Sequence, residues 1–220
     1  MFAMQEACPS FEVLAGQPRD RPGPWHAALA RAFELGRTLH ARVGVELRAG
    51  RLRAPAFLRS TLSADARVVQ EDFQCDYPLE LQSPFEGVDS VAGAVWMGDA
   101  LFGEECDDAI MKLRFDAGAY ELPLHVHEHS DRVIVVLRGS GIFHFTGETA
   151  DLFAGGGVAS VRVEPGMVLV FTRGLLHTFS SPEEPLYLLS YHAPFIPLED
   201  PRQFTLPDVH WIPQTTALDA

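Results

Sequence analysis

The strongest constraint on the fold is a series of short apolar runs that extends from about residue 93 towards the C-terminus. Each run is rich in Val, Ile or Phe, and glycine, proline or acidic residues separate it from the next, as in "RVIVVLRG", "GIFHFTG" and "MVLVFTRG". Such runs predict β-strands. Many short strands in series predict a sandwich or small barrel rather than a parallel α/β sheet. The stretch "TGETADLFAGGG" is expected to be a hairpin loop.

Residues 1–92 have a different pattern, which predicts helices. After the "PGP" at 22–24, "WHAALARAFELGRTLHARV" places apolar side chains at helical spacing. "STLSADARVVQEDF" (60–73) predicts a second, shorter helix that begins at a Ser or Thr cap, and "RAGRLRAPAF" between them predicts a loop. We therefore expect an N-terminal helical, arginine-rich extension over 1–92 that packs on the barrel, a barrel over 93–200 and a C-terminal tail over 201–220.

Charge is distributed unevenly along the chain. Residues 19–67 carry ten arginines and four acidic residues, whereas residues 68–220 carry seven basic and twenty-four acidic residues, and the net charge is -13. This balance argues against a protein that coats nucleic acid or an anionic membrane, and favours small-molecule or protein partners. The arginines are expected to pack against the acidic barrel or a second subunit, with contact to another partner as the alternative.

Other features exclude several kinds of site and compartment. The three cysteines, Cys8, Cys75 and Cys106, form no CxxC pair, so neither a disulfide framework nor a thiolate zinc site is expected. The N-terminal "MFAMQEACPSFEVLAG" is unlike a secretory signal, and no apolar run reaches the length of a membrane span. We therefore expect a cytoplasmic protein. The sequence has no GxSxG, and the glycines at 155–157 lack the lysine of a phosphate loop.

Histidines are the main candidates for chemistry. His125, His127 and His129 occupy alternate positions in "LHVHEHSDRVIVVLRGSG", and His177 follows another predicted strand fifty residues after His127. Side chains alternate between the two faces of a strand, so the first three could point the same way. Neutral imidazole nitrogens are good ligands for divalent transition metals.

Two motifs in this region carry a family resemblance. The first runs from Gly118 through "AYELPL" to "HVH", "EHSD", Arg132 and Gly139, and the second runs from Gly166 through "MVLVFTRGLLH" to Ser181, with 26 residues between them. They are similar to the two motifs of the cupin superfamily, G-x5-H-x-H-x3,4-E-x6-G and G-x5-P-x-G-x2-H-x3-N, apart from one extra residue before the first histidine. The resemblance covers roughly residues 107–197.

The resemblance implies a mainly β protein with a cupin-type antiparallel β-barrel, also described as a double-stranded β-helix or jelly roll. It implies a divalent transition metal bound by His125, His127 and His177, with Fe(II) favoured and Zn, Ni or Mn as alternatives. An additional ligand could come from Asp131 or His129. However, His129 is expected in the turn after the strand, and Asp131 would face outward on a regular strand unless a bulge turned it inward.

The departure from the family pattern is Arg132, which stands where cupins usually carry a glutamate ligand. Arginine offers no lone pair to a metal. One interpretation gives it a catalytic role, in which its guanidinium binds a substrate carboxylate or enolate. The other places it in a buried ion pair with Glu121 or Asp131, in a barrel that has lost its metal site. The sequence supports both equally.

The remaining candidates have plainer interpretations. His144 and His192 are expected to be hydrogen-bonded strand histidines without a role in chemistry. Tyr191 and Phe143 could line a small-molecule cavity or belong to the core. No chemistry is expected from the two histidines of the first helix, His26 and His40.

Two functions are consistent with the sequence. The first is a mononuclear non-heme iron(II) dioxygenase, an oxidoreductase that acts on a small anionic or enolisable substrate. It is implied by the resemblance to three-histidine cupins that cleave β-diketones or gentisate. The alternative is a non-enzymatic cupin that senses or binds a metabolite or metal, and a metal-dependent isomerase would follow if the metal were zinc or nickel. The resemblance also implies a homodimer.

Overall fold

The computed structural model describes residues 24–61, 63–74, 79, 81–103 and 105–214. Outside these residues lie Cys8, Cys75 and the N-terminal segment that was compared with a secretory signal. Within the described ranges three segments are helical: α1 (Pro24–Arg48), α2 (Ala64–Asp72) and α3 (Gly98–Phe102). Among the residues described, no helix is long and apolar enough to cross a membrane.

Most of the described chain forms β-strands. The strands are β1 (Phe57–Thr61), β2 (Leu81–Gln82), β3 (Val91–Met97), β4 (Ala109–Phe115), β5 (His125–Val126), β6 (Asp131–Arg138), β7 (Gly141–Thr146), β8 (Ala159–Val163), β9 (Met167–Phe171), β10 (Leu176–Ser180) and β11 (Leu186–Ala193). They form a seven-stranded sheet in the order β1-β9-β6-β11-β4-β3-β2 and a four-stranded sheet in the order β5-β10-β7-β8. All the strand pairs are antiparallel.

The inner faces of the two sheets pack against each other. Alternate residues of β6 and β11, such as Ile134 and Leu188, are buried in one cluster with Phe143 of β7 and Phe179 of β10. Side chains alternate along each strand, so the intervening residues of β6 and β11 face the opposite way. Each of these two central strands therefore contributes to two separate cores.

Helix α1 covers the outer face of the seven-stranded sheet. Its apolar stripe includes Leu29 and Phe33, which are buried in a second cluster with Val133 and Val135 of β6. The helix approaches the sheet closely at Gly36, where an added Cβ would collide with the ring of Tyr191. The amphipathic helix expected from the sequence is confirmed, and its apolar stripe is what attaches it to the sheet.

One motif glycine shows why the turn between β6 and β7 needs that residue. Gly139 has a φ of +73°, a conformation that L side chains rarely adopt. An added Cβ there would also collide with the carbonyl of Pro185. The backbone conformation and the close contact both favour glycine at this position.

The predicted fold class is confirmed: the protein is mainly β, with antiparallel sheets and an N-terminal helix. The second helix is also present, capped by the Ser63 side chain, which accepts a hydrogen bond from the Ala66 amide. Two elements were not predicted from the sequence: β1, which pairs with β9, and α3, which follows β3 directly. The boundaries of the three-part organisation stay a prediction. Strands β1, β2 and the start of β3 lie within the segment expected to be a helical extension.

Candidate metal centre

Three of the predicted ligands come together between the sheets. His125 lies on β5, opposite His177 on β10, and His127 follows β5 directly. Their ring centroids are 5.0 Å (His125 to His127), 4.7 Å (His125 to His177) and 5.4 Å (His127 to His177) apart. One nitrogen from each ring lies within 4.8 Å of the others. The alternation along the first motif and the pairing of β5 with β10 thus create a three-imidazole cluster.

Backbone carbonyls orient all three rings. Nδ1 of His125 donates a hydrogen bond to the carbonyl of Pro123 at 2.9 Å, and Nδ1 of His177 donates to that of Leu175 at 2.8 Å. Nδ1 of His127 donates to the carbonyl of Gln203 at 2.5 Å. Because a carbonyl only accepts, each Nδ1 carries the proton and each Nε2 keeps its lone pair. Such bonds from the non-ligating nitrogen are the usual support of a metal-binding histidine.

Burial also keeps the three rings neutral. It lowers the pKa of His125 to about 4, with a further contribution from the positive charge of Arg132. Burial is likewise the main reason why the pKa values of His127 and His177 lie well below the usual range. Imidazoles that are neutral at pH 7 are available as ligands without losing a proton. The donor set therefore fits a divalent transition metal.

Arg132 lies inside the barrel beside this cluster and makes no ion pair with any described residue. It is 2 % exposed, and its Nη1 donates to Ser130 Oγ and, at 3.2 Å, to the carbonyl of Asp131. Its Nη2 is buried without a hydrogen-bond partner in the described chain. Burial lowers the pKa of Arg132 to about 9, so the group stays charged at neutral pH.

The ion pair considered from the sequence is therefore not formed. The carboxylate of Glu121 instead accepts a hydrogen bond from the amide of Tyr120 at 2.9 Å. The carboxylate of Asp131 accepts hydrogen bonds from His40 Nε2 at 2.8 Å and from the amide of Arg173 at 2.7 Å. These bonds hold the pKa of Asp131 below its usual range, although burial acts in the opposite direction.

The two additional candidate ligands stay outside the cluster. Asp131 is on the face of β6 that points towards α1, as the strand parity predicted, and its carboxylate is occupied by His40 and Arg173. His129 is exposed in the loop between β5 and β6. The cluster of residues able to hold a metal consists of His125, His127 and His177.

A cavity of about 110 Å³ opens in front of the three histidines. Its walls are mostly apolar and include Ile134, Phe171 and Phe179. Phe85 and Phe204 are partly exposed and their tilted rings lie 4.2 Å apart between centroids, with the ring of Phe85 4.8 Å from that of His125. These two rings form the rim of the cavity and limit the access of water to the cluster.

His192 corrects the expectation that it is a satisfied strand histidine. It is 4 % exposed, lines the cavity, and neither of its ring nitrogens has a hydrogen-bond partner among the described residues. Burial and the charge of Arg132 hold its pKa well below the usual range. His144 does fulfil that expectation, because its nitrogens bond to Ser160 at 2.8 Å and Ser180 at 2.9 Å.

The sequence analysis also missed Gln203. Its backbone carbonyl holds His127, while its side-chain oxygen Oε1 is buried without a partner in the part of the chain that is described. No local signal marks this residue, since it lies in a turn after the last strand. His192 could have been suspected from its strand parity with Ser190, but only once the pairing of β11 with β6 was known.

Two aromatic candidates belong to the core rather than to the cavity wall. Tyr191 lies under α1, and its hydroxyl donates to Asp108 Oδ2 at 2.9 Å. Phe143 is fully buried between the sheets, 4.9 Å from the ring of Phe179. Both alternatives left open by the sequence are therefore decided in favour of packing.

Several of the N-terminal histidines and arginines form contacts that stabilise the fold. His26 lies on α1, and His40 links α1 to Asp131. Arg37 pairs with Asp108 at 2.7 Å, and Arg31 pairs with Asp72 of α2 at 2.8 Å. Other arginines are exposed and make no ion pair with any described residue: Arg42, Arg48, Arg53 and Arg59.

Comparison with protein families finds a cupin domain. The family model matches residues 111–192, which contain the three clustered histidines, Arg132 and His192. No curated protein matches this sequence.

Comparison with solved structures finds the following similarities. An oxalate oxidase in complex with the substrate analogue glycolate is 19% identical, with 55% of this chain and 60% of that chain covered and a TM-score of 0.41. Vicilin from Corylus avellana is 17% identical over 52% of this chain and 31% of its own, with a TM-score of 0.40. A sugar phosphate isomerase from Silicibacter pomeroyi is 17% identical over 64% and 73%, with a TM-score of 0.39. This chain thus spans little more than half the length of the oxalate oxidase. Residues 111–192 are thus similar to a cupin domain, and they lie in the two antiparallel sheets together with both motifs.

Proposed function

We propose that this protein is a mononuclear metal enzyme, namely a non-heme iron(II) dioxygenase that acts on a small anionic or enolisable substrate. The observation that carries the proposal is the orientation of His125, His127 and His177. Each Nδ1 is bound to a backbone carbonyl, so the three Nε2 atoms are left as ligands in one cavity. Three protein ligands leave coordination positions open, which a catalytic metal needs.

The chain's own residues would perform three tasks around that metal. The histidines hold it as neutral ligands, so its positive charge is not offset by a protein carboxylate. Arg132 adds a second positive charge to the same cavity and favours an anionic substrate. Phe85 and Phe204 restrict the entry of water. A bound metal supplies Lewis acidity and, in the case of iron, redox chemistry with dioxygen.

Two other functions follow if the metal or the chemistry differs. With zinc or nickel in place of iron, a metal-dependent isomerase is favoured over an oxygenase, since those ions do not activate dioxygen in the same way. Arg42, Arg48 and Arg53 are exposed and form no ion pair with a described residue, which favours a regulatory cupin that contacts another macromolecule. Homodimer formation stays a prediction from the resemblance, to be tested by analytical ultracentrifugation.

Metal analysis of the purified protein tests the proposal. We expect stoichiometric iron in the wild type, and loss of most of it in His125→Ala and in His177→Ala, because two imidazoles bind far more weakly than three. The matched control is His129→Ala, which removes an exposed histidine from the same segment and should retain the metal.

Oxygen uptake then tests the reaction. Iron-loaded protein should consume dioxygen with a member of a panel of β-diketones and aromatic hydroxy acids, and Arg132→Met should weaken this activity by about tenfold or more, since a charge-assisted bond is lost. A wild-type protein that binds no metal would overturn the proposal. Stoichiometric iron without oxygen uptake would favour the regulatory alternative.

A further inference from the structure

Four polar atoms in the cavity lack a partner within the described chain. They are Nη2 of Arg132, both ring nitrogens of His192, and Oε1 of Gln203. All three residues line the cavity, and their exposed fractions are 2 % for Arg132 and 4 % for each of the others. The metal-binding role of the three clustered histidines accounts for none of these atoms.

Such a group of atoms is costly unless something binds it. Buried polar atoms in folded proteins nearly always have hydrogen-bond partners, because an unpaired one loses its hydration without compensation. Two buried polar groups on the outer face of the same sheet follow this rule, since the Asp131 carboxylate and the Tyr191 hydroxyl are both bonded. The unpaired atoms of the inner face therefore indicate a site that a polar ligand completes.

The fold brings these residues together from three elements. Arg132 on β6 is the direct cross-strand partner of His192 on β11, and such partners have Cβ atoms about 4.5–5.5 Å apart. Gln203 joins them from the segment after β11, and its backbone carbonyl binds His127. Arg132, His192, Gln203 and the three clustered histidines all line the same cavity.

The hydrogen-bonding capacities define the ligand. Arg132 can only donate, and a neutral histidine has one donor and one acceptor nitrogen, whereas Gln203 Oε1 can only accept. A carboxylate can accept from Arg132 and from the N–H of His192. The remaining acceptors, the second nitrogen of His192 and Gln203 Oε1, require a ligand group that donates, such as a hydroxyl.

We propose that Arg132, His192 and Gln203 form a subsite for a small hydroxycarboxylate. The carboxylate binds Arg132 and His192, and the hydroxyl donates to Gln203 Oε1 or to the second His192 nitrogen. The cavity of about 110 Å³ is somewhat smaller than the ~150 Å³ cavity that holds benzene, so the ligand has roughly six non-hydrogen atoms. The mostly apolar walls leave Arg132 as the only guanidinium among the lining residues described, so one carboxylate is matched by one charge.

The inference deepens the proposed function, on which its role in catalysis rests, but the binding itself needs no metal. His192 and Gln203 thus become positioning residues that select for the hydroxyl and carboxylate of the substrate. A function for these two residues does not follow from the three-histidine site.

Calorimetric titration of chelator-treated, full-length protein tests the subsite with three probes. Lactate carries both groups, propionate lacks the hydroxyl, and lactamide lacks the charge. We expect lactate to bind most tightly, propionate more weakly, and lactamide about tenfold or more weaker than lactate, because it cannot accept a charge-assisted bond from Arg132.

Variants separate the contributions of the individual residues. Arg132→Met and His192→Phe should each weaken lactate binding by about tenfold or more, since each removes a donor to the carboxylate. Gln203→Leu keeps the backbone carbonyl that holds His127 and should reduce the difference between lactate and propionate. His144→Phe, a buried histidine outside the cavity, is the matched control and should bind lactate like the wild type. Circular dichroism shows whether each variant is folded.

Several results would overturn the inference. These are equal binding of lactate and lactamide by the wild type, wild-type affinity in folded His192→Phe, or no lactate binding at all. Metal analysis of the same samples distinguishes the two proposals. If the protein holds iron but does not bind lactate, the inference is wrong and the metal site is supported. If the protein binds lactate through His192 but holds no metal, the inference is supported and the proposed function is wrong.

Discussion

Buried polar groups on the two faces of the central strands β6 and β11 differ in their hydrogen bonding. On the outer face, the Asp131 carboxylate is bound by His40 and Arg173, and the Tyr191 hydroxyl is bound by Asp108. On the inner face, the neighbouring residues Arg132 and His192 have nitrogens that no described residue binds. Consecutive residues of the same strands therefore have either complete or incomplete hydrogen bonding, according to the face on which they lie.

This difference distinguishes the polar groups that stabilise the fold from those of the proposed subsite. The outer polar groups lie beneath α1 and attach the helix to the sheet, and the fold itself supplies their partners. The inner groups lie in a cavity, and the described residues supply no partners for them. Within one sheet, satisfied polar groups thus indicate architecture and unsatisfied ones indicate a binding site.

The largest expected effect comes from breaking the outer network at Asp108. Asp108→Ala removes the bidentate partner of Arg37, bonded at 2.7 and 2.9 Å, and leaves the buried Tyr191 hydroxyl without its acceptor. We expect the free energy of unfolding to fall by about 2–3 kcal/mol, a value that already allows for solvent screening of the partly exposed Arg37. Urea denaturation measures it. The control Asp116→Ala removes an exposed carboxylate paired with Arg114 and should change it by less than about 0.5 kcal/mol. Equal effects would contradict the comparison.

The next effect is the pH dependence of the inner face in metal-free protein. His125 has a pKa of about 4 when folded and 6.5 when exposed, so the unfolded chain binds more protons between these values. Stability is therefore retained above pH 6.5 and lost as the pH falls towards 4. Between pH 7 and pH 5 this residue should account for about 2 kcal/mol of lost stability.

His125→Gln should remove that contribution, so this variant loses less stability over the same interval than the wild type. Urea denaturation of chelator-treated protein at the two pH values measures the difference. The exposed His129→Gln variant should follow the wild type. If His125→Gln and the wild type lost equal stability, the ring would not be held neutral by burial.

The smallest expected effect, and the most diagnostic in sign, comes from the buried guanidinium of the inner face. Arg132→Met removes a buried charge that has no ion-pair partner among the described residues, so the free energy of unfolding of the metal-free protein should stay unchanged or rise by about 1–2 kcal/mol. Arg173→Met, which removes a half-exposed partner of Asp131, should instead lower it by up to about 1 kcal/mol. Thermal unfolding gives both signs. A marked loss of stability in Arg132→Met would assign Arg132 to the architecture.

Elements stabilised by their own side-chain pattern were predictable, and those stabilised by distant pairing were not. The apolar stripe of α1 and the Ser63 cap of α2 are local signals, and both helices are present. Strand β1 has the sequence FLRST and is mostly exposed, so no buried alternation marks it. It exists because it pairs with β9, more than a hundred residues along the chain.

The residues of the site also fall into a group that was predictable from the sequence and a group that was not. The spacing of His125 and His127 and the second motif at His177 identified the three-imidazole cluster, and strand parity put the Asp131 side chain on the outer face. His192, in contrast, was expected to be a hydrogen-bonded strand histidine, since nothing in its local sequence distinguishes it. Only the register that sets it opposite Arg132 shows that it faces a cavity without a partner.

By itself the sequence predicted the short strands and the covering helix, because alternation and helical periodicity are properties of neighbouring residues. The two motifs added the family resemblance that implied the antiparallel barrel and the three histidines. Tertiary structure decided which polar groups are satisfied. In the folded protein the Asp131 carboxylate is bound by His40 and Arg173, whereas Arg132, His192 and Gln203 lie around one cavity. The physical reason is that hydrogen bonding of a buried group depends on what lies across the sheet, and residues far apart in the chain supply those neighbours.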